Sequence, residues 1–332
     1  MKRTIPIVLA VLVAGGSAPI AHAGDVSYYG IIKSQRYQQT VSTPPTALLS
    51  NAFAFNAFVI ATTNLAVTNA TVKAPAPSAT PTRTLVSRLI GGDWQYDEQF
   101  NTTNALDTAY PTATLTSYTF TISATNDGVR SASANFFLAS SPPTPQISNL
   151  SAAQHIDTTA NFTLAWNPLN GSGLDIVQVT ILGAASNVVF ASPVPFSSNA
   201  LNGASTALVI PAYALPTGRQ LSGHLTIGKP GFPNTTSYPG ATGIGALARD
   251  TEFPLATLPP LPPRLEVLSR RAAPFVVGFT GESNRNYLLQ GSANLSNWLD
   301  VRLTNSPTGS GVITDHLSNV FPQRFYRIQV LP

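Results

Sequence analysis

The chain has 332 residues, of which 43% are apolar and only 10% are charged, and its formal net charge is +4. Because a disordered chain usually combines high charge with few apolar residues, this composition indicates a packed core. The sequence has no cysteine, which excludes disulfides, thiolate metal sites, cysteine nucleophiles and a lipidated N-terminal cysteine. So weak a net charge would not attract nucleic acid or anionic lipid by its field alone.

The N-terminus has the pattern of a secretory signal peptide. Lys2 and Arg3 precede the apolar run Ile5–Ala14, and the small-x-small sequence AHA follows at 21–23. This run is shorter than the ~20 residues that span a bilayer, and no later segment is long and apolar enough to do so. The sequence therefore predicts cleavage after Ala23 and a soluble, exported chain that is extracellular, cell-surface or periplasmic. An uncleaved signal anchor is the alternative.

Period-two alternation of apolar and polar residues dominates the mature chain. Such alternation predicts half-buried antiparallel strands, because successive side chains point to opposite faces of a sheet. The 28 prolines and 23 glycines interrupt any long helix, which favours an all-β fold of tandem antiparallel β-sandwiches. The glycine-rich sequence GATGIGALA, residues 240–248, is predicted to be a flexible loop. The predicted strands are Phe53–Ala61, Leu85–Ile90, Ser117–Ser123, Asn161–Trp166, Ile176–Leu182, Val188–Ala191, Thr206–Ile210, Gln220–Ile227, Pro274–Phe279, Asn286–Gln290 and Arg324–Val330.

Two proline-rich segments predict the domain boundaries. SSPPTP at 140–145 separates a first domain from a second, and LPPLPPR at 258–264 is predicted to be a stiff linker with polyproline II character. After the signal peptide, residues 1–23, the predicted domains are therefore 24–143, 144–257 and 265–332.

The second predicted domain opens with PQISNLSAAQHIDTTANFTLAWNPL, in which a first strand and a turn precede a strand that ends on Trp166. The later passage IPAYALPTGRQLSGHLTI places a leucine, a proline and a glycine before an alternating strand. This order resembles fibronectin type III and immunoglobulin-like sandwiches, and it implies that Trp166 is a core residue. Leu221 stands where that class often has a tyrosine, which weakens the specific fibronectin assignment but not the sandwich.

The last fifty residues have a spaced pattern that starts with Tyr287 and Leu289, continues through Trp298 and Asp315, and closes with RFYRI. This pattern resembles a small C-terminal β-module that recurs at the ends of large secreted proteins of planctomycete and verrucomicrobial bacteria. The resemblance implies an accessory module with no known chemistry and no catalytic residue. Trp298 is then expected in the core and Asp315 at a turn. Arg324 and Arg327 are expected to flank the last strand as solvated or paired charges.

The segment GGDWQYDE carries the candidate binding residues. Trp94 and Tyr96 are two positions apart, so they would share a face of an extended strand and could stack on a sugar ring. The alternative is that both rings belong to the core. Asp93, Asp97 and Glu98 could hold calcium together with backbone carbonyls, and a solvated loop after the Gly-Gly turn is the alternative. No other metal site and no cofactor are predicted.

The sequence contains few of the residue patterns that are typical of catalytic sites. His155, His224 and His316 remain after the signal peptide, but there is no G-x-S-x-G motif and no H-E-x-x-H motif. Carboxylates that could form a glycosidase pair are Asp97, Glu98 and Asp107, or Asp250 and Glu252. The sequence therefore predicts a non-enzymatic exported protein whose partner is an extracellular glycan or an envelope protein, with no nucleic acid. The alternatives are a carbohydrate-binding accessory protein that uses exposed aromatic residues, and a degenerate secreted hydrolase.

Overall fold

The computed structural model describes residues 24–48, 50–87, 93–112, 117–195, 197–260, 262–269 and 274–331. The predicted signal peptide and residues 88–90 of one predicted strand lie outside these ranges. The described residues form strands with only short helices, which confirms the all-β prediction. The strands are β1 (Val26–Gln38), β2 (Thr46–Ala47), β3 (Phe53–Ala61), β4 (Val67–Lys73), β5 (Arg83–Thr84), β6 (Val86–Ser87), β7 (Asp93–Phe100), β8 (Tyr118–Ala124), β9 (Gly128–Ala134), β10 (Phe162–Ala165), β11 (Ile176–Leu182), β12 (Val188–Ala191), β13 (Ala207–Ile210), β14 (Gln220–Pro230), β15 (Thr242–Ala256), β16 (Arg264–Ser269), β17 (Phe275–Thr280), β18 (Arg285–Ser292), β19 (Leu299–Ser306), β20 (Ser310–Asp315) and β21 (Phe325–Leu331); the helices are α1 (Thr103–Ala109), α2 (Leu150–Ala153) and a 3-10 turn (Ser318–Val320).

One long sheet runs through the predicted first and second domains. Its strand order is β12-β11-β14-β15-β1-β3-β7-β6, with β2 paired to β1. At the centre, β1 pairs with β15 in parallel, in a register that runs from Tyr28 opposite Thr242 to Gln38 opposite Glu252. The other strand pairs of this sheet are antiparallel. The ranges 24–143 and 144–257 are therefore joined by main-chain hydrogen bonds.

Two buried clusters lie against the same face of the long sheet. The first fills the space between β1, β3 and β7 and a four-stranded sheet of order β5-β4-β8-β9. The second lies between β11, β14 and β15 and the β10-β13 pair. Tyr29 and Ile31 belong to the first cluster, Phe253 and Leu255 to the second, and the register of β1 with β15 places all four on one face. Two sandwiches thus stand side by side on one continuous layer.

The prediction that residues 240–248 form a flexible loop is wrong, because they enter and begin the longest strand, β15. The glycines there allow close approach rather than flexibility. A Cβ on Gly243 would lie 2.6 Å from the Tyr29 ring, and a Cβ on Gly245 would lie 1.9 Å from the Asn135 carbonyl oxygen. A side chain at either position would collide with its neighbour, so glycine lets the strand lie flat beneath the first cluster.

The C-terminal residues form a separate small sandwich. Its two three-stranded sheets have the orders β16-β17-β20 and β19-β18-β21. The core between them includes Phe279, Tyr287, Leu289 and Ile313, each no more than 3% exposed. The Tyr287 hydroxyl donates to the Glu282 carbonyl at 2.6 Å, which satisfies the one polar group of this buried ring. Tyr287 and Leu289, two positions of the C-terminal pattern, are therefore core residues.

Within the described residues, no helix has both the length and the apolar character needed to cross a bilayer.

Candidate functional site

Trp94 and Tyr96 lie on the same face of β7, and that face packs against the first buried cluster. Both side chains are half-buried. The Tyr96 hydroxyl donates to Glu98, which also accepts from the Tyr110 hydroxyl at 2.7 Å and from Arg83 Nη2 at 3.1 Å. Burial, together with the hydrogen bond to Glu98, raises the pKa of Tyr96 to about 12. Both rings therefore pack against the first cluster and keep part of their surface exposed.

The three candidate calcium ligands do not face one another. β7 alternates, so Asp93 and Asp97 lie on one face of the sheet and Glu98 on the other. Asp97 Oδ1 accepts from Asn56 Nδ2 at 2.6 Å, and Glu98 is already surrounded by donors. The described part of the chain brings together no group of three histidine or carboxylate side chains suited to a metal ion.

A polar cluster on the other face of the long sheet contains the candidate pair Asp250 and Glu252, and it adds His224, which the sequence did not group with them. His224 Nδ1 is 3.0 Å from Asp250 Oδ2, and the Thr226 hydroxyl donates to Asp250 Oδ1 at 2.7 Å. Beside them, the Ser222 hydroxyl donates to Glu252 at 3.1 Å. We call Ser222, His224, Thr226, Asp250 and Glu252 the sheet cluster. Adjacent strands β14 and β15 supply all five side chains, and Asp250 is only 1% exposed.

The electrostatics of the sheet cluster favour an ion pair. Burial alone would lower the pKa of His224, but the Asp250 carboxylate beside it raises that pKa above its ordinary value. Burial alone would likewise raise the pKa of Asp250, but His224 and the Thr226 hydroxyl hold it below its ordinary value. Arg36 Nη2 lies 3.8 Å from Glu252 Oε2 and adds a second cation. Together, the sheet cluster and Arg36 place two cations beside two carboxylates.

The sheet cluster contains an acid and a histidine but no activated nucleophile. A hydrolase of the serine type needs a hydroxyl hydrogen-bonded to the second ring nitrogen of the histidine. Among the described residues, His224 Nε2 is buried without a hydrogen-bond partner, and the Ser222 hydroxyl is directed to Glu252 instead. Asp107, another candidate carboxylate, is paired with Lys33. The hydrogen bonds of the sheet cluster join side chains of β14 to side chains of β15.

The C-terminal sandwich corrects one expectation about its pattern residues. Trp298 is half-buried and lies outside the buried cluster, so the prediction that it is a core residue is wrong. Its ring stands under Arg327, whose guanidinium carbon is 4.3 Å from the ring centroid. Asp315 accepts from the Leu317 backbone N–H at 2.9 Å, which confirms its turn role, and Arg324 Nη1 lies 2.9 Å from Asp315. Trp166, in contrast, is 2% exposed in the second cluster, as predicted.

No protein-family model and no curated protein matches this chain. Several solved structures overlap with it. The FN1–FN3 domains of chicken CNTN1 share 12% identity over 91% of this chain and 92% of that chain, with a TM-score of 0.20. A tetra-tandem repeat from the extending region of a large adhesion protein shares 12% identity over 91% of this chain and 74% of that chain, with a TM-score of 0.27. Dimeric latent PorU from Porphyromonas gingivalis shares 12% identity over 92% of this chain and 32% of that chain, with a TM-score of 0.21. Because these TM-scores are low, the sandwich architecture rests on the strand pairing and the buried clusters alone.

Proposed function

We propose that this chain is an exported, non-catalytic β-sandwich protein that makes contacts with glycan or protein outside the cytoplasm. The observation that carries the proposal is the state of the sheet cluster. His224 and Asp250 form the described pair that comes nearest to a catalytic dyad, yet no hydroxyl reaches His224 Nε2. A general base acts on a proton within hydrogen-bond reach, and the described residues offer none to His224 Nε2.

The remaining candidate carboxylates are also occupied by internal donors. Glu98 accepts from Arg83, Tyr96 and Tyr110, and Asp107 pairs with Lys33. A glycosidase needs two carboxylates that face a cleft wide enough for a sugar, one of them ready to donate a proton. Carboxylates committed to contacts inside the fold are not available for that role. The side chains that could take part in catalysis are used in contacts within the fold, and this favours a function in binding through the protein surface.

Export is the second part of the proposal. The basic pair, apolar run and AHA sequence of residues 1–23 support a cleaved signal peptide, and the lack of cysteine is compatible with a chain stabilised by burial. The destination is the cell surface, the periplasm or the medium. The N-terminal residue of the secreted protein, read by mass spectrometry, should be Gly24.

The non-catalytic assignment is tested with the secreted chain on a panel of polysaccharides and chromogenic esters. We expect product at the rate of a buffer blank, and no difference between the native chain and the matched variants Ser222→Ala and His224→Gln. Turnover by the native chain that disappears in His224→Gln, with the fold retained by circular dichroism, would falsify the proposal.

A further inference from the structure

The outer face of the sheet β19-β18-β21 carries a connected row of polar and aromatic side chains. Arg327 stacks over Trp298, Arg327 Nε donates to Gln290 Oε1 at 2.8 Å, and Gln290 Nε2 donates to Asp300 Oδ1 at 2.6 Å. Gln290 on the central strand is the register partner of both Asp300 and Arg327 on the two edge strands. We call these four residues the outer row, which crosses the whole width of the sheet.

The outer row is held in place before any ligand arrives. The Trp298 indole N–H donates to the Leu295 carbonyl at 3.1 Å, so the ring is fixed on both its edge and its face. Gln290 uses both ends of its amide to hold Arg327 and Asp300 apart. Preorganised side chains of this kind lose little conformational entropy when they bind.

The outer row keeps hydrogen-bonding capacity for a ligand. Within the described residues Arg327 commits only its Nε, so both Nη groups remain as a fork of donors, and Asp300 commits only Oδ1. Both side chains are exposed. An arginine fork matches a carboxylate bidentately, and a carboxylate oxygen accepts from sugar hydroxyls. Beside them the indole and the guanidinium offer a surface for the apolar face of a sugar ring.

The charge of the C-terminal sandwich points to an acidic ligand. Residues 264–332 contain seven arginines and four carboxylates, a net charge of +3, whereas residues 24–263 contain nine basic and ten acidic residues, a net charge of −1. Arg285 is paired with Glu282 and Arg324 with Asp315. Arg327, in contrast, has no carboxylate within 4.0 Å in the part of the chain that is described. The local field therefore favours an anion at the outer row.

The same face extends beyond the outer row. Four residues further along the central strand, about 13 Å away, Asn286 Oδ1 accepts from Asn305 Nδ2 at 3.0 Å. Between these two polar positions lies Leu303, which is 57% exposed. A polar, aromatic and apolar strip of that length suits a chain of sugars better than a single small anion.

We propose that the outer face of β19-β18-β21 binds an acidic polysaccharide, with uronic-acid carboxylates held by the Arg327 fork and neighbouring hydroxyls by Asp300. This inference rests on the proposed function and assigns its ligand class and site. It places the binding aromatic at Trp298 rather than at Trp94 or Tyr96.

The test is calorimetric titration of the secreted chain with polygalacturonate oligomers, alongside a neutral galactan oligomer of equal length. We expect binding of the acidic oligomer that weakens as salt rises, and at least about tenfold weaker binding by Arg327→Ala, from the usual strength of charge-assisted hydrogen bonds. Arg327→Lys should also bind at least several-fold more weakly, because lysine keeps the charge but lacks the fork. Trp298→Ala should weaken binding too.

Arg264→Ala is the matched control, because Arg264 is exposed and begins β16 in the opposite sheet of the same sandwich. It should bind within about twofold of the native chain, as expected for a distant surface charge. The site would be overturned if Arg264→Ala and Arg327→Ala lost affinity equally. It would also be overturned if the single variants Arg327→Lys and Trp298→Ala both bound with native affinity. Binding of only the neutral oligomer overturns the ligand class but leaves the proposed function standing, whereas new reducing ends in the titrated mixture would overturn the proposed function.

Discussion

The long sheet and the C-terminal sandwich each carry charged side chains on a sheet face turned away from their cores, and they use those charges in opposite ways. In the long sheet, Asp250 is 1% exposed and accepts from both His224 and Thr226. In the C-terminal sandwich, Asp300 is exposed and accepts from Gln290 with one oxygen. A buried charged residue such as Asp250 spends its hydrogen bonds on neighbouring strands. An exposed one such as Asp300, held by a rigid sheet, keeps hydrogen-bonding capacity for a ligand.

The difference has a physical cause in the surroundings of each charge. A buried ion that loses its partner keeps its full desolvation cost, so removal of one member of a buried pair is strongly destabilising. An exposed ion is solvated with or without its partner, and its pairing contributes little to folding. The same substitution should therefore have very different consequences in the two regions.

The largest expected effect is that of Asp250→Asn. The amide no longer holds the His224 proton, so burial lowers the pKa of His224, and the folded chain must either give up that proton or bury it unpaired. Unfolding in urea should therefore become easier by up to about 3–5 kcal/mol, the usual cost of removing one member of a buried ion pair. Asp300→Asn is the matched control and should change stability by less than about 1 kcal/mol. The chain has three tryptophans, and Trp166 lies in the second buried cluster while Trp298 lies in the C-terminal sandwich. Their fluorescence reports the two regions within one titration.

Equal destabilisation by Asp250→Asn and Asp300→Asn would break the comparison. A loss confined to the C-terminal sandwich in Asp250→Asn would do so as well, because Asp250 has its partners in the long sheet.

A second experiment sharpens the comparison by testing whether the long sheet is one unit. Gly245→Ala would place a Cβ 1.9 Å from the backbone oxygen of Asn135, which cannot move aside as a flexible side chain could. Overpacking of this kind should destabilise the chain by about 1–3 kcal/mol. Gly173→Ala is the control, since a Cβ there meets nothing within 4 Å and the change should stay within about 0.5 kcal/mol.

Hydrogen exchange of β1 and β15 is the measurement for Gly245→Ala. If the parallel pairing joins the two sandwiches, protection should fall in both strands together. A loss restricted to β15, with β1 unchanged, would mean that the two sandwiches fold independently.

The strands that the sequence predicted best are short runs rich in apolar residues, and in two of them nearly every residue is buried. Phe53–Ala61, Ile176–Leu182 and Val188–Ala191 have the predicted bounds. The central strands β1 and β15 were missed, because each contains glycine and buried polar residues that interrupt the apolar pattern. Glycine usually marks a turn, and only the neighbours Tyr29 and Asn135 show why it is required in β15. Those contacts join residues more than 100 positions apart, which no local pattern records.

The candidate site residues show the same limit, because local sequence patterns do not record contacts between distant residues. The alternation of β14 places His224 on its polar face, but the sequence does not reveal that Asp250 is the residue beside it. The prediction that Trp298 is a core residue was wrong for a different reason. It stands just before β19, outside the regular alternation, and the register shift near Leu289 and Gln290 changes which side chains face outward. Alternation predicts faces within a strand and loses its value at strand ends and bulges.

The smallest expected effect is the pH dependence of the long sheet. The pKa of His224 is raised in the folded chain by Asp250, with Glu252 adding to the rise and Arg36 opposing it. The folded state then binds the His224 proton more tightly than the unfolded state does, so this contribution is fully present below the ordinary histidine pKa of about 6.5. It is lost as the pH rises through the folded-state value. The contribution of Asp250, whose pKa is lowered, is present above about pH 3.9 and is lost only as the pH falls through its own folded-state value.

Urea unfolding of the long sheet, followed from about pH 5 to about pH 9, should therefore show stability falling on the alkaline side. His224→Gln removes the titrating group and should flatten that part of the profile. The C-terminal sandwich, followed by Trp298 fluorescence in the same samples, serves as the internal comparison, since the His224–Asp250 pair lies in the long sheet. An alkaline fall that persists unchanged in His224→Gln would mean that another group, and not the buried histidine–aspartate pair, sets the pH response of the long sheet.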